Sequence, residues 1–191
     1  MKNQEKRSVV LFDMDDTSVN FQQPWLDRLF EKTGIRINRG QLKQWDVSLY
    51  LPKHLVETLY EIINEPNFFR HLPIREGVVE GINRLVAAGM DVVFLSASSR
   101  NAYVDKHDWI LEHFPTFTRD NMIFTPRKDL VIGDYLVDDA PQFLEMSPAK
   151  TKIVMDAPYN RHLTNYKRAF HFTDAVEQIL QMEKAKEKKV S

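Results

Sequence analysis

Short apolar runs recur along the chain, and stretches with apolar residues at helical spacing lie between them. The clear runs are residues 8–13, 91–96, 121–125, 134–139 and 152–156, and a weaker run covers 169–172. Each has the length of a buried strand. Apolar residues three and four positions apart predict helices over 77–89, 102–114 and 174–185. This alternation predicts an α/β fold with a parallel sheet covered by helices on both faces.

Two of these predicted helices are flanked by residues that are common at helix ends. Gly89 follows the apolar pattern of one helix, and glycine is common just past the last helical turn. Thr173 and Asp174 both favour the N-cap position. We therefore expect the last helix to begin at one of these two residues.

Residues 22–75 interrupt the alternation, because they contain no convincing strand but several short helical patterns. Pro24 and Pro52 suit the first turn of a helix, and Gly34 suits a helix end. The segment is rich in aromatic residues, namely Trp25, Phe30, Trp45, Tyr50, Tyr60, Phe68 and Phe69. One interpretation is a small helical cap inserted after the first strand. The alternative is a helical bundle that extends the core.

Composition and charge exclude several classes of protein. The chain has 191 residues, 43% of them hydrophobic, and 26 basic residues nearly balance 27 acidic ones. This balance does not favour binding to a polymeric nucleic acid or to a membrane surface. The chain has no cysteine, so disulfides and thiolate chemistry are excluded. No apolar run has the length of a membrane span, and we expect a cytoplasmic protein.

Aspartates stand at the ends of two predicted strands. Asp13 and Asp15 follow the first strand, and Asp138 and Asp139 end the fourth. Sites in parallel α/β sheets form at the carboxyl ends of the strands. If these strands are neighbours, the four carboxylates lie close together and repel one another. A hard cation such as Mg²⁺, which takes oxygen ligands, offsets that repulsion.

A serine and a lysine belong to the same predicted edge, since Ser96 ends the second strand and Lys128 precedes the fourth. A magnesium site with a carboxylate nucleophile and a lysine suits phosphoryl transfer, because both cations screen the phosphate charge. One aspartate can form an aspartyl phosphate, and another can protonate the leaving oxygen. Taken singly, the aspartates are just as typical of turns and helix caps, a serine is usually only a strand-end hydroxyl, and a lone lysine is mostly a surface residue.

Motifs for other kinds of site are absent. An EF-hand loop counted from Asp13 needs glycine and glutamate where the chain has Ser18 and Pro24. The six histidines show no zinc-binding spacing. The chain also contains no Walker A, G-x-G-x-x-G or G-x-S-x-G motif.

The ordered set of motifs resembles the haloacid dehalogenase superfamily of phosphatases. "FDMDDT" resembles its first motif, "VVFLSAS" its second, and "GDYLVDD" its fourth, with Lys128 at the position of the third-motif lysine. A narrower resemblance is to the 5′(3′)-deoxyribonucleotidase family, through "DMDDTSVNF", "EPNFFRHLPIREGVVEGINRLVAAGMDVVFLSAS" and "RKDLVIGDYLVDDAP". That family has a small helical cap after the first motif. The resemblance implies a Rossmann-like core of residues 1–21 and 76–191, with 22–75 as a substrate-selecting cap.

The family resemblance also implies roles for individual residues. Asp13 would be the nucleophile and a magnesium ligand, and Asp15 the acid/base, which offers magnesium its backbone carbonyl. The implied metal site is completed by Asp138 and Asp139, and the implied phosphate- and substrate-binding residues are Ser96, Ala97, Lys128, Phe21 and Trp45. Phe21 would pack on the nucleobase.

The chain departs from the family pattern at a few positions. Asp16 replaces a usual glycine and Thr17 a typical valine. "SAS" stands where the family commonly has "TSP", so Ser96 keeps one hydroxyl and Ala97 loses a second. The implied catalytic residues are all present, whereas these changes leave the identity of the substrate open.

The sequence therefore predicts a hydrolase, a Mg²⁺-dependent phosphomonoesterase that acts on pyrimidine deoxynucleoside monophosphates through an aspartyl phosphate. One alternative is the same chemistry on another small phosphoester, and another is a non-catalytic binding protein on the same fold. The expected partner is a small-molecule nucleotide. The oligomeric state stays open, with a homodimer as one alternative.

Overall fold

A computed structural model of the protein describes residues 7–190, so the parts of the predicted core at residues 1–6 and 191 lie outside it. Six strands form one parallel sheet in the order β3-β2-β1-β4-β5-β6. The strands are β1 (Val9–Phe12), β2 (Asp91–Ser96), β3 (Met122–Phe124), β4 (Tyr135–Asp138), β5 (Thr151–Met155) and β6 (Lys167–Ala169). The α-helices are α1 (Gln22–Thr33), α2 (Val56–Ile62), α3 (Val78–Ala87), α4 (Arg100–His113), α5 (Pro141–Met146) and α6 (Phe172–Val190). The predicted α/β fold with a parallel sheet is confirmed.

The sixth strand and the last helix begin earlier than the sequence pattern predicts. β6 covers Lys167–Ala169 instead of 169–172, and α6 begins at Phe172 instead of Thr173 or Asp174. The reason is that Phe172 belongs to the helix, where its buried ring stacks on Phe12 at 4.8 Å between centroids. Asp174 still satisfies the helix start, because its carboxylate accepts from the backbone N–H groups of residues 170 and 171.

Alternation along β1 places apolar side chains on both faces of the sheet. Val10 and Phe12 pack in a cluster that includes buried residues of α3, α4 and α6. Leu11 lies in a second cluster with Leu144 of α5. Both faces are thus buried, which explains why the strands read as nearly continuous apolar runs.

Residues 22–75, which the structure describes completely, form helices and no strand. Besides α1 and α2, four short 3₁₀ helices occur at Arg39–Gln41, Val47–Tyr50, Lys53–Leu55 and Phe69–His71. Gly34 ends α1 with φ = 73°, a left-handed conformation that glycine adopts without strain. The segment has its own apolar cluster around Trp25, Leu29 and Leu59, which Ala157 and Tyr159 join from the loop after β5.

The register of the sheet brings the predicted site residues to one edge. Phe12 of β1 pairs with Phe94 of β2 and with Val137 of β4. The residues that follow these strands therefore lie side by side at the carboxyl edge. No helix within residues 7–190 is long and apolar enough to cross a membrane.

Candidate active site

The turn after β1 is held by backbone hydrogen bonds that present its carboxylates. The N–H of Asp13 donates to the carbonyl of Val137 at 2.9 Å, which extends the contact between β1 and β4. The N–H groups of residues 17, 18 and 19 all donate to the carbonyl of Met14. The hydroxyl of Ser18 donates to the carbonyl of Asp13 at 2.7 Å. This tight turn fixes where Asp13 and Asp15 lie.

Three buried carboxylates meet at the end of β1 and β4. One oxygen from each of Asp13, Asp138 and Asp139 lies within 4.8 Å of the others. The ammonium of Lys128, which is fully buried, lies 2.6 Å from Asp13 Oδ1 and 2.7 Å from Asp138 Oδ2. It also lies 4.3 Å from the centre of the Phe143 ring. When all three carboxylates are ionised, the single charge of Lys128 does not balance them, so a further cation would be stabilised here.

Burial and neighbouring charges shift the pKa values of Asp138, Asp139 and Lys128. Burial raises the pKa of Asp138 to about 7, although attraction to Lys128 acts in the opposite direction. Burial also raises the pKa of Asp139 well above its usual range, and the charges of Asp138 and Asp13 raise it further. Burial disfavours the charge of Lys128, but Asp13 and Asp138 outweigh it and raise the pKa of the lysine. The carboxylates therefore need either protons or a bound cation.

Two hydroxyl groups and an amide hold Asp139. The hydroxyl of Thr17 donates to Oδ1 at 3.2 Å, and the hydroxyl of Tyr159 donates to Oδ2. The Asn160 side chain donates to the backbone carbonyl of Asp139 at 2.8 Å. The sequence analysis missed Tyr159 and Asn160, because they follow β5 and no local motif marks them. Thr17, noted as a departure from the family pattern, contacts a candidate metal ligand.

A second buried lysine contacts the other side of the turn. Lys106 of α4 places Nζ 2.6 Å from Asp15 Oδ2 and 2.9 Å from Ser96 Oγ. Burial raises the pKa of Asp15 to about 6, the charge of Lys106 lowers it, and the charge of Asp13 raises it. The sequence analysis missed Lys106. Its signal is present, because a lysine occupies the buried stripe of α4 that also contains Ala102, Trp109 and Ile110.

Asp16 connects the same turn to the helical segment. It adopts a left-handed backbone conformation with φ = 53°. Its carboxylate accepts from the N–H of Gln22 at 3.2 Å and pairs with the guanidinium of Arg39 at 3.3 Å. Its backbone carbonyl accepts from Arg75. Burial raises the pKa of Asp16, and Arg39 lowers it.

A cavity of about 210 Å³ opens above the carboxylates. Its lining includes the predicted residues Asp13, Asp15, Phe21, Trp45, Ala97 and Asp139, together with Tyr60, Phe69, Phe143 and Tyr159. Ser96, Lys128 and Asp138 are fully buried and do not line the cavity themselves. Ser96 contacts Lys106, and Lys128 pairs with both Asp13 and Asp138. The structure thus brings all nine predicted site residues into one region.

The aromatic lining of the cavity comes from the helical residues 22–75 and from segments that follow strands of the sheet. Phe21 stacks on Phe69 with ring centroids 5.6 Å apart and planes 4° apart, and it also contacts Trp25. Trp45 is 45% exposed, and its ring meets the edge of Phe143 at 6.4 Å. Phe21 is therefore packed within an aromatic cluster, whereas Trp45 has much of its ring free.

Comparison with known proteins places the chain in a family. Residues 7–187 match the family model described as 5′ nucleotidase, deoxy (pyrimidine), cytosolic type C protein. The chain is 30% identical over 163 residues to the 5′(3′)-deoxyribonucleotidase of Clostridium acetobutylicum. The aligned residues cover 85% of this chain and 89% of that protein.

Solved structures show the same fold at low sequence identity. A conserved haloacid dehalogenase-like protein of unknown function from Agrobacterium tumefaciens matches with a TM-score of 0.63 at 16% identity, covering 93% of this chain and all of that one. A HAD family hydrolase from Deinococcus radiodurans matches with a TM-score of 0.55 at 14% identity, covering 88% and 93%. Because the family model spans nearly the whole chain, the protein belongs to the 5′(3′)-deoxyribonucleotidase family and is a phosphoric monoester hydrolase, with the fold of haloacid dehalogenase-like proteins.

Proposed function

We propose that the protein is a magnesium-dependent 5′(3′)-deoxyribonucleotidase that hydrolyses pyrimidine deoxynucleoside monophosphates to nucleoside and phosphate. The observation that carries this proposal is the group of Asp13, Asp138 and Asp139, held with Lys128 at the base of an aromatic-lined cavity. The family description, which names a deoxy pyrimidine nucleotidase, supports the substrate.

The donor set fits Mg²⁺. Asp13, Asp138 and Asp139 offer closely spaced oxygens and carry more negative charge than Lys128 neutralises, which suits a hard divalent cation. These three side chains, with the backbone carbonyl of Asp15, are the proposed ligands. When bound, the cation would screen the charge of the phosphate.

The side chains supply the rest of the chemistry. Asp13 attacks phosphorus, and an aspartyl phosphate forms as the bond to the nucleoside oxygen breaks. Asp15 gives a proton to that oxygen and later takes one from the water that hydrolyses the aspartyl phosphate. Its pKa of about 6 suits both transfers. Ser96 and Lys128 hold the phosphate oxygens, with Ala97 beside them in the cavity wall.

Substrate selection belongs to the helical segment and to Phe21, which directly precedes it, in this proposal. The groups at the sheet edge recognise only the phosphate, so they do not distinguish one base from another. Phe21, Trp45 and Tyr60 line the cavity next to them, and stacking on a base contributes roughly 1–3 kcal/mol. We therefore assign residues 22–75 as the specificity cap, and residues 1–21 and 76–191 as the catalytic core.

A cytoplasmic location fits this activity. The family description names a cytosolic type, and the chain has no cysteine. The proposed partner is a small-molecule nucleotide, since the near-neutral charge does not favour a polymeric nucleic acid.

A phosphate-release panel tests the proposal. The substrates are the deoxynucleoside and ribonucleoside monophosphates, 2-deoxyribose 5-phosphate and 4-nitrophenyl phosphate, each with Mg²⁺ and with EDTA. We expect hydrolysis only with Mg²⁺ and the highest kcat/KM for a pyrimidine deoxynucleotide. A higher kcat/KM for a phosphoester without a base would refute the nucleotide assignment, and full activity in EDTA would refute the metal assignment.

A further inference from the structure

Lys106 has the contacts of a residue that organises the site. Its side chain is 1% exposed, and Nζ contacts Asp15 Oδ2 at 2.6 Å, Ser96 Oγ at 2.9 Å and the carbonyl of Ala97 at 3.2 Å. A lysine ammonium has three donors and no acceptor. Those three oxygens therefore account for all its hydrogen bonds. The ring of Phe69 lies 4.5 Å away and covers the ammonium.

Packing alone does not explain a lysine at this position. It lies in the buried stripe of α4 with Ala102, Trp109 and Ile110, where an apolar side chain would fill the same space. Moving an ammonium out of water costs several kcal/mol. The three polar contacts offset that cost, and all of them connect the lysine to the turn after β1 or to the end of β2.

The contact with Asp15 distinguishes its two carboxylate oxygens. Lys106 donates to Oδ2, whereas Oδ1 is buried and has no hydrogen-bond partner within residues 7–190. A buried oxygen without a partner is costly unless something binds to it during function. The side chain thus presents one oxygen that is held and one that is free.

We propose that Lys106 is a positioning residue that turns the free oxygen of Asp15 toward the leaving group. This inference rests on the proposed function. As the bond from Asp13 to phosphorus forms and the bond to the leaving oxygen breaks, the proton on Asp15 Oδ1 passes to that oxygen. Lys106 stays protonated and holds Oδ2 throughout. It also donates to Ser96 Oγ, whose hydroxyl in turn donates to the carbonyl of Ala97 at 3.4 Å.

Leaving-group dependence tests this role in Lys106→Met, which keeps the length of the side chain but has no donor. The substrates are 2-deoxyribose 5-phosphate, whose leaving oxygen needs a proton, and 4-nitrophenyl phosphate, whose leaving oxygen needs little help. General acid catalysis contributes about 10²–10⁴-fold. A misdirected carboxyl should lose part of this, so we expect kcat to fall at least about tenfold more on the sugar phosphate than on the aryl phosphate.

Controls separate positioning from folding. Lys150→Met removes an exposed lysine whose partner, Asp134, precedes β4 at the opposite edge of the sheet, and it should leave both activities unchanged. Lys106→Gln keeps a neutral donor group with two N–H donors and should fall between wild type and Lys106→Met. The glutamine variant also serves as the test if the methionine variant does not fold. Equal loss of kcat on both substrates, or a lower melting temperature without the difference in kcat, would overturn the proposal.

The same assay separates this inference from the proposed substrate. Wild-type hydrolysis of the sugar phosphate but not of dUMP would refute the nucleotide assignment and leave the test of Lys106 intact. Wild-type failure on every phosphoester in the presence of Mg²⁺ would overturn both.

Discussion

Replacing Lys128 with methionine removes the cation that holds two buried carboxylates. Nζ lies 2.6 Å from Asp13 and 2.7 Å from Asp138, and neither Lys128 nor Asp138 has any exposed side-chain surface. Methionine has a similar length, so the substitution removes charge with little change in packing. The carboxylates are left facing one another and Asp139.

The expected loss of stability is large. Removing one partner of a buried pair costs about 3–5 kcal/mol. Each kcal/mol shifts the melting temperature of a protein of this size by roughly 2–4 °C, so we expect a decrease of about 6–20 °C at pH 8 without metal.

The loss should depend on pH, and its sign follows from Asp138. Burial raises its folded pKa from 3.8 to about 7, and Lys128 opposes that rise. A raised folded pKa adds stability that is fully present below the unfolded pKa and is lost as pH rises through the folded value. Without Lys128 the folded pKa rises further, so more stability is lost at high pH. Lys128→Met should therefore approach wild type at pH 5 and fall well below it at pH 8.

Thermal unfolding at pH 5 and pH 8 in EDTA measures this, followed by a titration with Mg²⁺. Lys150→Met is the matched control, because its ion pair is exposed and contributes about 0–1 kcal/mol. Mg²⁺ should restore part of the stability that Lys128→Met loses, since it supplies positive charge to the same carboxylates. A melting temperature at pH 8 no lower than that of Lys150→Met, or the same decrease at both pH values, would refute the reasoning.

Four further predictions concern activity. Asp13→Asn should leave less than about a tenth of wild-type turnover while the protein still folds, because hydrolysis of phosphate monoesters needs very large acceleration; a phosphate-release assay and a thermal unfolding curve measure the two. Asp15→Asn should lose less activity on 4-nitrophenyl phosphate than on dUMP, and equal loss would indicate that it acts mainly through the metal. EDTA should abolish activity and Mg²⁺ restore it, while Asp138→Ala and Asp139→Ala should each raise the Mg²⁺ concentration for half-maximal rate. Phe21→Ala should raise KM for dUMP by roughly five- to 150-fold relative to 2-deoxyribose 5-phosphate; because Phe21 packs on Phe69, a lower melting temperature is also expected, and parallel loss on both substrates would assign it to packing alone.

Local patterns were sufficient to predict the sheet and its acidic edge. A buried strand is a short apolar run, and a polar residue directly after it must lie at the strand end. Asp13 and Asp138 could therefore be placed together from the rule that sites form at the carboxyl ends of parallel strands. The sixth strand was predicted too late in the chain, at 169–172, because the end of that run belongs to α6. There Phe172 packs on Phe12.

Contacts between distant parts of the chain could not be predicted in the same way. Lys106 is 91 residues from Asp15, and Arg39 is 23 residues from Asp16. Each pair depends on the packing of a helix against the turn after β1, and the sequence pattern near either residue does not encode that packing. A charged residue in an apolar stripe, as at Lys106, is the one local sign that a buried partner exists.

The charge balance of the whole site explains how so many aspartates are tolerated. Five aspartates meet here, namely Asp13, Asp15, Asp16, Asp138 and Asp139, and three described cations pair with them, namely Lys106, Lys128 and Arg39. Arg75, which donates to the backbone carbonyl of Asp16, adds a fourth positive charge, so with every group ionised five negative and four positive charges leave one negative charge for a bound cation to neutralise. Without it, burial raises the pKa of four of the aspartates, so protons take its place. Since a bound metal would displace those protons, its affinity should increase as pH rises through neutrality. A dianionic phosphate would be repelled by the uncompensated site, so in the proposed mechanism a bound cation would assist substrate binding as well as the chemical step.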